Sequence, residues 1–225
     1  MIKAVAIDID GTITDERRRL NLKAVAILRE LERRGVMVVL ATGNILCVAE
    51  SARTFIGVSG GIIAENGGII KDPEMGIERY LGDVVEVRRA FNHLAARYCV
   101  TPVPMSELRK TEVAVLRRGI TAGEVRDCLR NFKVEVVDTK FAIHIKSPEV
   151  SKGRALEELM ELKGVDMHEV AAVGDSENDR DMLARSGYGI AVGDDSLKDV
   201  ADIVTPSRYG EGAVEALQHL LARLR

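Results

Sequence analysis

An apolar run that ends in acidic residues, close to the start of the chain, constrains the fold more than any other feature. Ala4–Ile7 contains no polar residue and predicts a strand buried in a parallel sheet. Asp8 and Asp10 follow it, so two carboxylates are expected beside a hydrophobic core, where unpaired charge is costly. Gly11 allows a tight turn, and Thr12 adds a hydroxyl. The stretch predicts a site for a divalent cation and a phosphate group; a turn with two solvated aspartates is the alternative.

Two more apolar runs end in polar residues farther along the chain. Val36–Ala41 and Val170–Gly174 both predict buried strands. Because the carboxyl ends of parallel strands lie at one edge of a sheet, the polar residues after the three runs are expected to converge there. These residues are Asp8 and Asp10, Thr42 and Gly43, and Asp175 and Asp179. The spacing of four between Asp175 and Asp179 is compatible with a shared helical face.

The charges of this predicted cluster indicate which ligands it would hold. Four carboxylates at one edge repel one another without a cation, and hard oxygen ligands favour Mg²⁺. A non-catalytic Ca²⁺ site is the alternative, although Ca²⁺ loops usually gather their acids within one short segment. Lys152 is predicted in the first turn of a helix, where an ammonium opposes the helix dipole. A phosphate bound there would be held by the lysine and by the helix N–H groups; a solvated surface lysine is the alternative.

The order of predicted elements divides the chain into an outer α/β part and an insert. Up to residue 68, strands alternate with helices over 20–34 and 45–55, which is typical of a parallel sheet with crossover helices. The same pattern resumes with a helix that begins at Ser151 and continues to the end of the chain. We therefore expect one α/β domain formed by residues 1–80 and 151–225.

The middle of the chain, residues 81–150, predicts a small α+β domain instead. Its expected elements are, in order, a helix over 82–98, a strand over 112–116, a helix from the capping box of Thr121 and Glu124 to about Phe132, and strands over 134–137 and 141–145 joined by a hairpin turn at 138–140. Alternation of apolar and polar residues in these strands is typical of a sheet with one covered face.

Composition and charge exclude several classes of protein. The 225 residues are 46% hydrophobic and 30% charged, as in an ordinary globular protein. A net charge of −3 with interspersed signs gives no electrostatic case for nucleic acid or a membrane surface as partner. Cys47, Cys99 and Cys128 are widely spaced, so inert thiols in a reducing compartment are expected rather than disulfides or a zinc site. Without a leader pattern or an apolar run of about 18 residues, we expect a cytoplasmic protein.

Four short segments resemble the four motifs of the haloacid dehalogenase superfamily, in the same order. They are Asp8–Thr12, Ala41–Asn44, Ser151–Gly153 and Gly174–Asp179. The chain looks like the branch with a C2-type cap, inserted between the second and third motifs. The small cap, the chain length and Asn44, where many relatives carry arginine, resemble most the archaeal-type phosphoglycolate phosphatases. The resemblance implies a Rossmann-like catalytic core with a small α+β cap.

The same resemblance implies roles for the residues of the first two motifs. Asp8 would be the nucleophile that forms an aspartyl-phosphate, as well as a metal ligand. Asp10 would protonate the leaving alkoxide and then activate water, while its backbone carbonyl binds Mg²⁺. Thr42 and Gly43 would bind the phosphoryl group. Spacing alone does not tell which of the two aspartates attacks phosphorus.

Roles for the last two motifs follow in the same way. Lys152 would bridge the nucleophile and the phosphate. Asp175 would ligate Mg²⁺, and Asp179 would ligate it directly or orient its shell through water. Supporting roles fall to Gly11, Thr12 and Asn178, with a purely scaffolding role left open for Asn178.

Other polar residues are weaker candidates. Asn66 and Gly67 are expected to form a plain turn rather than touch the site. His144 is expected to be a structural histidine. Arg109, Lys110 and Thr111 precede a strand of the insert and could reach a substrate carboxylate, but a solvated charge cluster is the expectation there.

These features lead to one functional expectation and two rivals. The expectation is a Mg²⁺-dependent phosphomonoester hydrolase for a small phosphorylated acid, first of all 2-phosphoglycolate, with another small phosphoester as an alternative substrate. A phosphomutase is one rival, although the insert looks short for the larger cap of such enzymes. A non-catalytic phospho-binding module is the other, although it would not require Asp10 or a cap. Assembly is left open, with a homodimer compatible with the sequence.

Overall fold

The first of two units in the chain is built around a mostly parallel sheet. The computed structural model describes residues 1–139, 141–193 and 195–224. One unit contains residues 1–79 and 151–225, and the other contains residues 80–150; the division expected from the sequence lay after residues 80 and 150. Each unit has its own buried apolar cluster.

Eight strands form the sheet of the first unit within the described residues. They are β1 (Ala4–Asp8), β2 (Met37–Ala41), β3 (Ile62–Ala64), β4 (Ile69–Asp72), β5 (Ile77–Tyr80) and, from the later segment, β9 (Val170–Gly174), β10 (Tyr188–Val192) and β11 (Ile203–Thr205). Their order is β11-β10-β9-β1-β2-β3-β4-β5, and all pairs from β11 to β3 are parallel. The predicted α/β class with a parallel sheet is confirmed.

Helices connect these strands and cover the sheet. They are α1 (Leu22–Arg33), α2 (Leu46–Ile56), α5 (Lys152–Lys163), α6 (Arg180–Arg185) and α7 (Tyr209–Arg223). In α1, Asn21 caps the first turn by accepting N–H groups of Lys23 and Ala24, and Leu28 and Leu31 face the core. Gly35 follows the helix with φ +82°, a left-handed conformation that glycine adopts without strain.

The apolar runs identified in the sequence form the centre of the sheet. Every residue of β1 is buried, which explains why Ala4–Ile7 shows no polar alternation. Val5 and Ile7 pack in one cluster with Leu28 of α1 and with Ala213 and Leu217 of α7. This packing fixes the carboxyl end of β1 in place, since a close-packed core tolerates little displacement.

The sequence did not predict the antiparallel part of this sheet. β4 pairs antiparallel with β3 through a turn at Glu65–Gly67, and β5 continues the sheet beyond β4. Both strands have only four residues, too few for a clear periodicity. The helix predicted over 20–34 begins two residues later, because Leu20 pairs with Thr14 in a bridge.

The second unit is a three-stranded antiparallel sheet with two helices. Its elements are α3 (Val84–Ala95), β6 (Val113–Val115), α4 (Ala122–Leu129), β7 (Glu135–Asp138) and β8 (Ile143–Lys146), with strand order β6-β8-β7. The capping box of Thr121 and Glu124 is confirmed at the start of α4. At residues 138 and 139 the structure agrees with the predicted hairpin turn. Lys140, the third residue of that turn, lies outside the described residues.

No helix in the described part of the chain has the length and hydropathy needed to cross a lipid bilayer.

Candidate active site

The site lies where three neighbouring strands end. β9, β1 and β2 are adjacent and parallel, with Asp8 in register with Ala41 and Ile7 in register with Val173. The residues that follow these strands therefore share one edge of the sheet, as the sequence predicted from strand direction.

Asp8 is the last residue of β1 and is 3% exposed. Its Oδ1 accepts a hydrogen bond from Lys152 Nζ at 2.6 Å. Its Oδ2 is buried and has no hydrogen-bond partner among the described residues. Burial raises the pKa of Asp8 well above its ordinary value; Lys152 opposes the rise, and the neighbouring aspartates add to it. The positive charge of Lys152 beside Asp8 therefore does not offset the effects of burial and of the neighbouring aspartates on this carboxylate.

Lys152 is fully buried in the first turn of α5 and contacts two carboxylates. Its Nζ lies 2.6 Å from Asp8 Oδ1 and 2.6 Å from Asp179 Oδ1. Burial by itself lowers the pKa of Lys152, but the charges of Asp179 and Asp8 outweigh burial and raise it above the ordinary value. The ammonium thus stays charged throughout the physiological range. The alternative of a solvated surface lysine is excluded.

Asp175 and Asp179 are brought together by a loop rather than by a helix face. Asp175 follows β9, and Asp179 ends a short 3₁₀ turn before α6. Asp179 Oδ2 accepts the backbone N–H groups of Asp175 and Ser176, each at 3.1 Å. The shared helical face that the spacing allowed is not formed, because the chain turns back on itself through these hydrogen bonds before α6 begins.

Gly11 and Thr12 hold the first loop against Asp175. Gly11 has φ +94°, and a Cβ at this position would lie 2.6 Å from Asp175 Oδ2, so a larger residue would be both strained and obstructed. Thr12 Oγ1 donates to Asp175 Oδ1 at 3.1 Å. The two residues keep the loops that follow β1 and β9 in close contact.

The carboxylates fit a divalent cation. One oxygen from each of Asp8, Asp175 and Asp179 lies within 4.8 Å of the others, and all three residues are buried. With Lys152, these groups carry two net negative charges when ionised, which a divalent cation would balance. The buried Asp8 Oδ2 has no hydrogen-bond partner in the described part of the chain and is an available ligand atom, and oxygen ligands suit Mg²⁺.

The Asp10 side chain is held by residues outside this carboxylate cluster. Its Oδ1 accepts a hydrogen bond from Arg18 Nε at 2.6 Å, and its Oδ2 accepts one from Asn44 Nδ2. Its side chain is 17% exposed, in contrast to the fully enclosed Lys152. Asp10 is thus held at the accessible side of the edge, and Asp8 at the buried side.

The loop after β2 completes the edge. Thr42 is buried, and its Oγ1 accepts hydrogen bonds from the backbone N–H and the side-chain amide of Asn44. A Cβ at Gly43 would lie 2.9 Å from Asn66 Oδ1, which itself accepts a hydrogen bond from Asn178 at 3.1 Å. The polar side chains of Asn66 and Asn178 therefore join the loops after β3 and β9, although Asn66 was expected to be an ordinary turn residue.

Arg18 and Ser176 contact site residues and were not singled out in the sequence. Ser176 Oγ donates to Asn178 Oδ1 at 2.5 Å. The run Arg17-Arg18-Arg19, so soon after the acidic motif, was the available signal for Arg18.

In the second unit, one expectation was wrong in part. Lys110 is exposed as expected, but Arg109 and Thr111 are buried, and Arg109 pairs with the buried Glu112. His144 is also buried, with its Nδ1 2.8 Å from Glu112 Oε1. The anionic Glu112 allows the guanidinium to be buried.

Comparison with known proteins decides the family. The sequence model of the haloacid dehalogenase-like hydrolases matches residues 5–99 and 125–217. The chain belongs to this family. The resemblance read from the four motifs is thereby confirmed.

Relatives within the family match over nearly the full length. The chain is 47% identical to the phosphoglycolate phosphatase of Methanothermobacter thermautotrophicus, over 98% of this chain and 99% of that one. It is 46% identical to the phosphoglycolate phosphatase of Archaeoglobus fulgidus, over 97% and 96%. The solved structure of Thermoplasma acidophilum 0175 superposes with a TM-score of 0.89 at 25% identity, covering 97% of this chain and 98% of that one.

Proposed function

We propose that this hydrolase is a Mg²⁺-dependent phosphomonoesterase that acts through an aspartyl-phosphate on Asp8, with 2-phosphoglycolate as its substrate. The observation that carries the proposal is the buried Asp8 carboxylate, with one oxygen on Lys152 and the other without a partner among the described residues. Asp175 and Asp179 beside it complete a set of oxygen ligands. The substrate is suggested by the names of the two relatives at 46–47% identity.

In the first step, an oxygen of Asp8 attacks phosphorus and the bond from phosphorus to the alkoxide oxygen breaks. Asp10 gives its carboxyl proton to that leaving oxygen, so the alcohol departs neutral. Lys152 stays charged beside Asp8 and offsets the negative charge brought in by the phosphoryl group. The Thr42 hydroxyl would donate to a phosphoryl oxygen.

In the second step, the Asp10 carboxylate takes a proton from water, whose oxygen attacks the same phosphorus. The bond between phosphorus and Asp8 breaks, which releases phosphate and regenerates the Asp8 carboxylate. Asp8, Asp175 and Asp179, with the backbone carbonyl of Asp10, would hold Mg²⁺. When bound, Mg²⁺ neutralises charge on the nucleophile and the phosphoryl group.

The test is release of inorganic phosphate from a panel of phosphomonoesters, with Mg²⁺ and with excess chelator. We expect metal-dependent release, strongest from 2-phosphoglycolate. Strongest release from sugar phosphates would support the phosphatase reaction but rule out 2-phosphoglycolate as the preferred substrate. No release from any compound would overturn the proposed phosphatase activity. A bisphosphate-activated isomerisation assay would then test for phosphomutase activity.

Asp8→Asn tests the nucleophile. The amide cannot form the acyl phosphate, so we expect a loss of turnover of at least about 10⁴-fold, since the covalent route closes. Phosphate release at saturating 2-phosphoglycolate is the measurement, with circular dichroism as the folding control. A variant that retains wild-type turnover would rule out Asp8 as the nucleophile.

A further inference from the structure

Asp10 is held by two side chains to which the mechanism above gives no role. Arg18 Nε donates to Asp10 Oδ1 at 2.6 Å, and Asn44 Nδ2 donates to Asp10 Oδ2. Arg18 Nη2 also donates to Asn44 Oδ1 at 3.1 Å. The three side chains therefore form a closed ring of hydrogen bonds, in which each carboxylate oxygen of Asp10 has its own donor.

Asn44 links this ring to Thr42 in the loop after β2. Its Nδ2 lies 3.2 Å from Thr42 Oγ1, and its backbone N–H donates to the same oxygen at 3.0 Å. Because Nδ2 donates to Asp10 while Oδ1 accepts from Arg18, the contacts determine the orientation of the amide. A residue without both a donor and an acceptor could not make both of these contacts.

The backbone at Arg18 is in the left-handed region. Arg18 has φ +61°, a conformation that non-glycine residues rarely adopt. The turn around it is closed by Asp15, whose Oδ1 accepts the N–H groups of Arg17 at 2.8 Å and Arg19 at 2.9 Å. Strain that persists next to a reactive group is a reason to look for a function there.

We propose that Arg18 and Asn44 are positioning residues that fix the rotamer of Asp10 so that its carboxyl group is aligned with the leaving oxygen. The inference rests on the proposed function, in which Asp10 transfers protons. A carboxyl group free to rotate would donate in only a fraction of its conformations, whereas a carboxyl held at both oxygens is prealigned. The guanidinium and the amide touch Asp10 and do not themselves transfer a proton.

Rate constants for the first step with two substrates test this role. The alkoxide of 2-phosphoglycolate needs a proton to leave, but the phenolate of p-nitrophenyl phosphate leaves without one. In single-turnover experiments with Mg²⁺, we expect Arg18→Gln and Asn44→Ala to slow phosphorylation by 2-phosphoglycolate about 10- to 100-fold, a part of the general-acid effect. With p-nitrophenyl phosphate the change should stay within about threefold, because Asp10 is not needed as an acid.

Two controls separate positioning from a general loss of structure. Arg17→Gln removes an exposed arginine of the same turn and should leave both rates unchanged. Arg18→Gly relieves the positive φ while removing the guanidinium, so it should fold well and show the same selective loss. An equal loss with both substrates would overturn the inference.

A double-variant comparison separates failure of the inference from failure of the proposed function. If Arg18 acts through Asp10, Arg18→Gln should have no further effect on the alkyl substrate in the Asp10→Asn background. A further loss there would overturn the positioning role while leaving the phosphatase intact. If Asp10→Asn alone showed no preference for the aryl substrate, the assignment of Asp10 as the acid in the proposed function would be wrong.

Discussion

At the scale of single residues, the site depends on one ammonium group shared between two buried carboxylates. Lys152 is 0% exposed, and it is held at 2.6 Å from both Asp8 and Asp179. Removing one partner from such a group leaves uncompensated buried charge, which costs more than the pair contributes. The residue is therefore expected to affect both folding and chemistry.

Lys152→Met keeps much of the side-chain volume but removes the charge. We expect turnover to fall at least about 100-fold, because a preorganised positive group at the phosphoryl site is lost. Steady-state kinetics with 2-phosphoglycolate and thermal denaturation are the measurements. Lys163→Met is a matched control at the other end of α5, since Lys163 pairs with Asp72 rather than with a site carboxylate; it should cost stability and lower turnover much less than Lys152→Met. Turnover within twofold of wild type would contradict the role of Lys152.

At the scale of elements, the position of α5 is set by contacts at both of its ends. At its start, the turn between β3 and β4 packs against Ser151, and at its end Lys163 pairs with the buried Asp72 of β4. Ser151 caps the helix by accepting the Arg154 N–H at 3.2 Å. The antiparallel strand that the sequence did not predict is thus part of what positions Lys152.

Gly67→Ala tests the contact at the start of α5. Gly67 has φ +100°, and a Cβ would lie 2.2 Å from the Ser151 carbonyl oxygen. We expect a loss of about 2–4 kcal/mol in unfolding free energy, from strain and overpacking together. Gly35→Ala measures the cost of positive φ alone, since nothing lies within 4 Å of its Cβ. Equal losses from the two substitutions, measured by urea denaturation, would show that the packing contact does not matter.

Asp72→Asn tests the contact at the other end through its pH dependence. Burial alone would raise the pKa of Asp72, but Lys163 and the N–H groups of Met75 and Glu74 outweigh it and lower the pKa below its ordinary value. A lowered folded-state pKa stabilises the fold above the unfolded pKa, and this stabilisation is lost as the pH falls through the folded pKa.

The variant should therefore lose about 3 kcal/mol near pH 7, and its difference from wild type should narrow below about pH 4. Urea denaturation at several pH values provides the measurement. Asp127→Asn, at an exposed position of α4, should change stability little at any pH. If the difference in unfolding free energy between wild type and Asp72→Asn grew as the pH fell, the lowered pKa of Asp72 would be contradicted.

At the scale of the whole molecule, the site is assembled from two distant segments of the chain. β1 pairs with β2 on one side and with β9 on the other, and β9 comes after the whole second unit. The acidic cluster therefore exists only once both segments of the first unit have joined. Anything that binds this cluster should stabilise the complete fold.

Mg²⁺ should raise the melting temperature of the wild-type protein. At a concentration of about 100 times the Kd, the gain is about 2.7 kcal/mol, or a shift of roughly 5–10 °C for a chain of this size. Asp175→Asn should lose most of this shift, because it removes one of three clustered carboxylates. Differential scanning calorimetry with Mg²⁺ and with chelator makes the comparison. An equal shift in the variant would place the cation elsewhere.

The sequence predicted those parts of the site that depend on local pattern. Ala4–Ile7 and Val170–Gly174 are apolar because both faces of their strands are covered, so the strands and the acids after them could be recognised without a structure. The direction of parallel strands then brought Asp8, Thr42 and Asp175 to one edge. The start of α5 at Ser151 and the capping box of α4 also follow from local pattern.

What depended on tertiary structure is the pairing and burial of polar side chains. Arg18 lies in a run of three arginines, and nothing local distinguishes the one that reaches Asp10 and Asn44. Burial of Arg109 depends on Glu112, whose own burial is set by the packed unit around it. Local patterns fix which face of an element is covered, but the pairing of polar side chains requires distances that only the assembled fold defines.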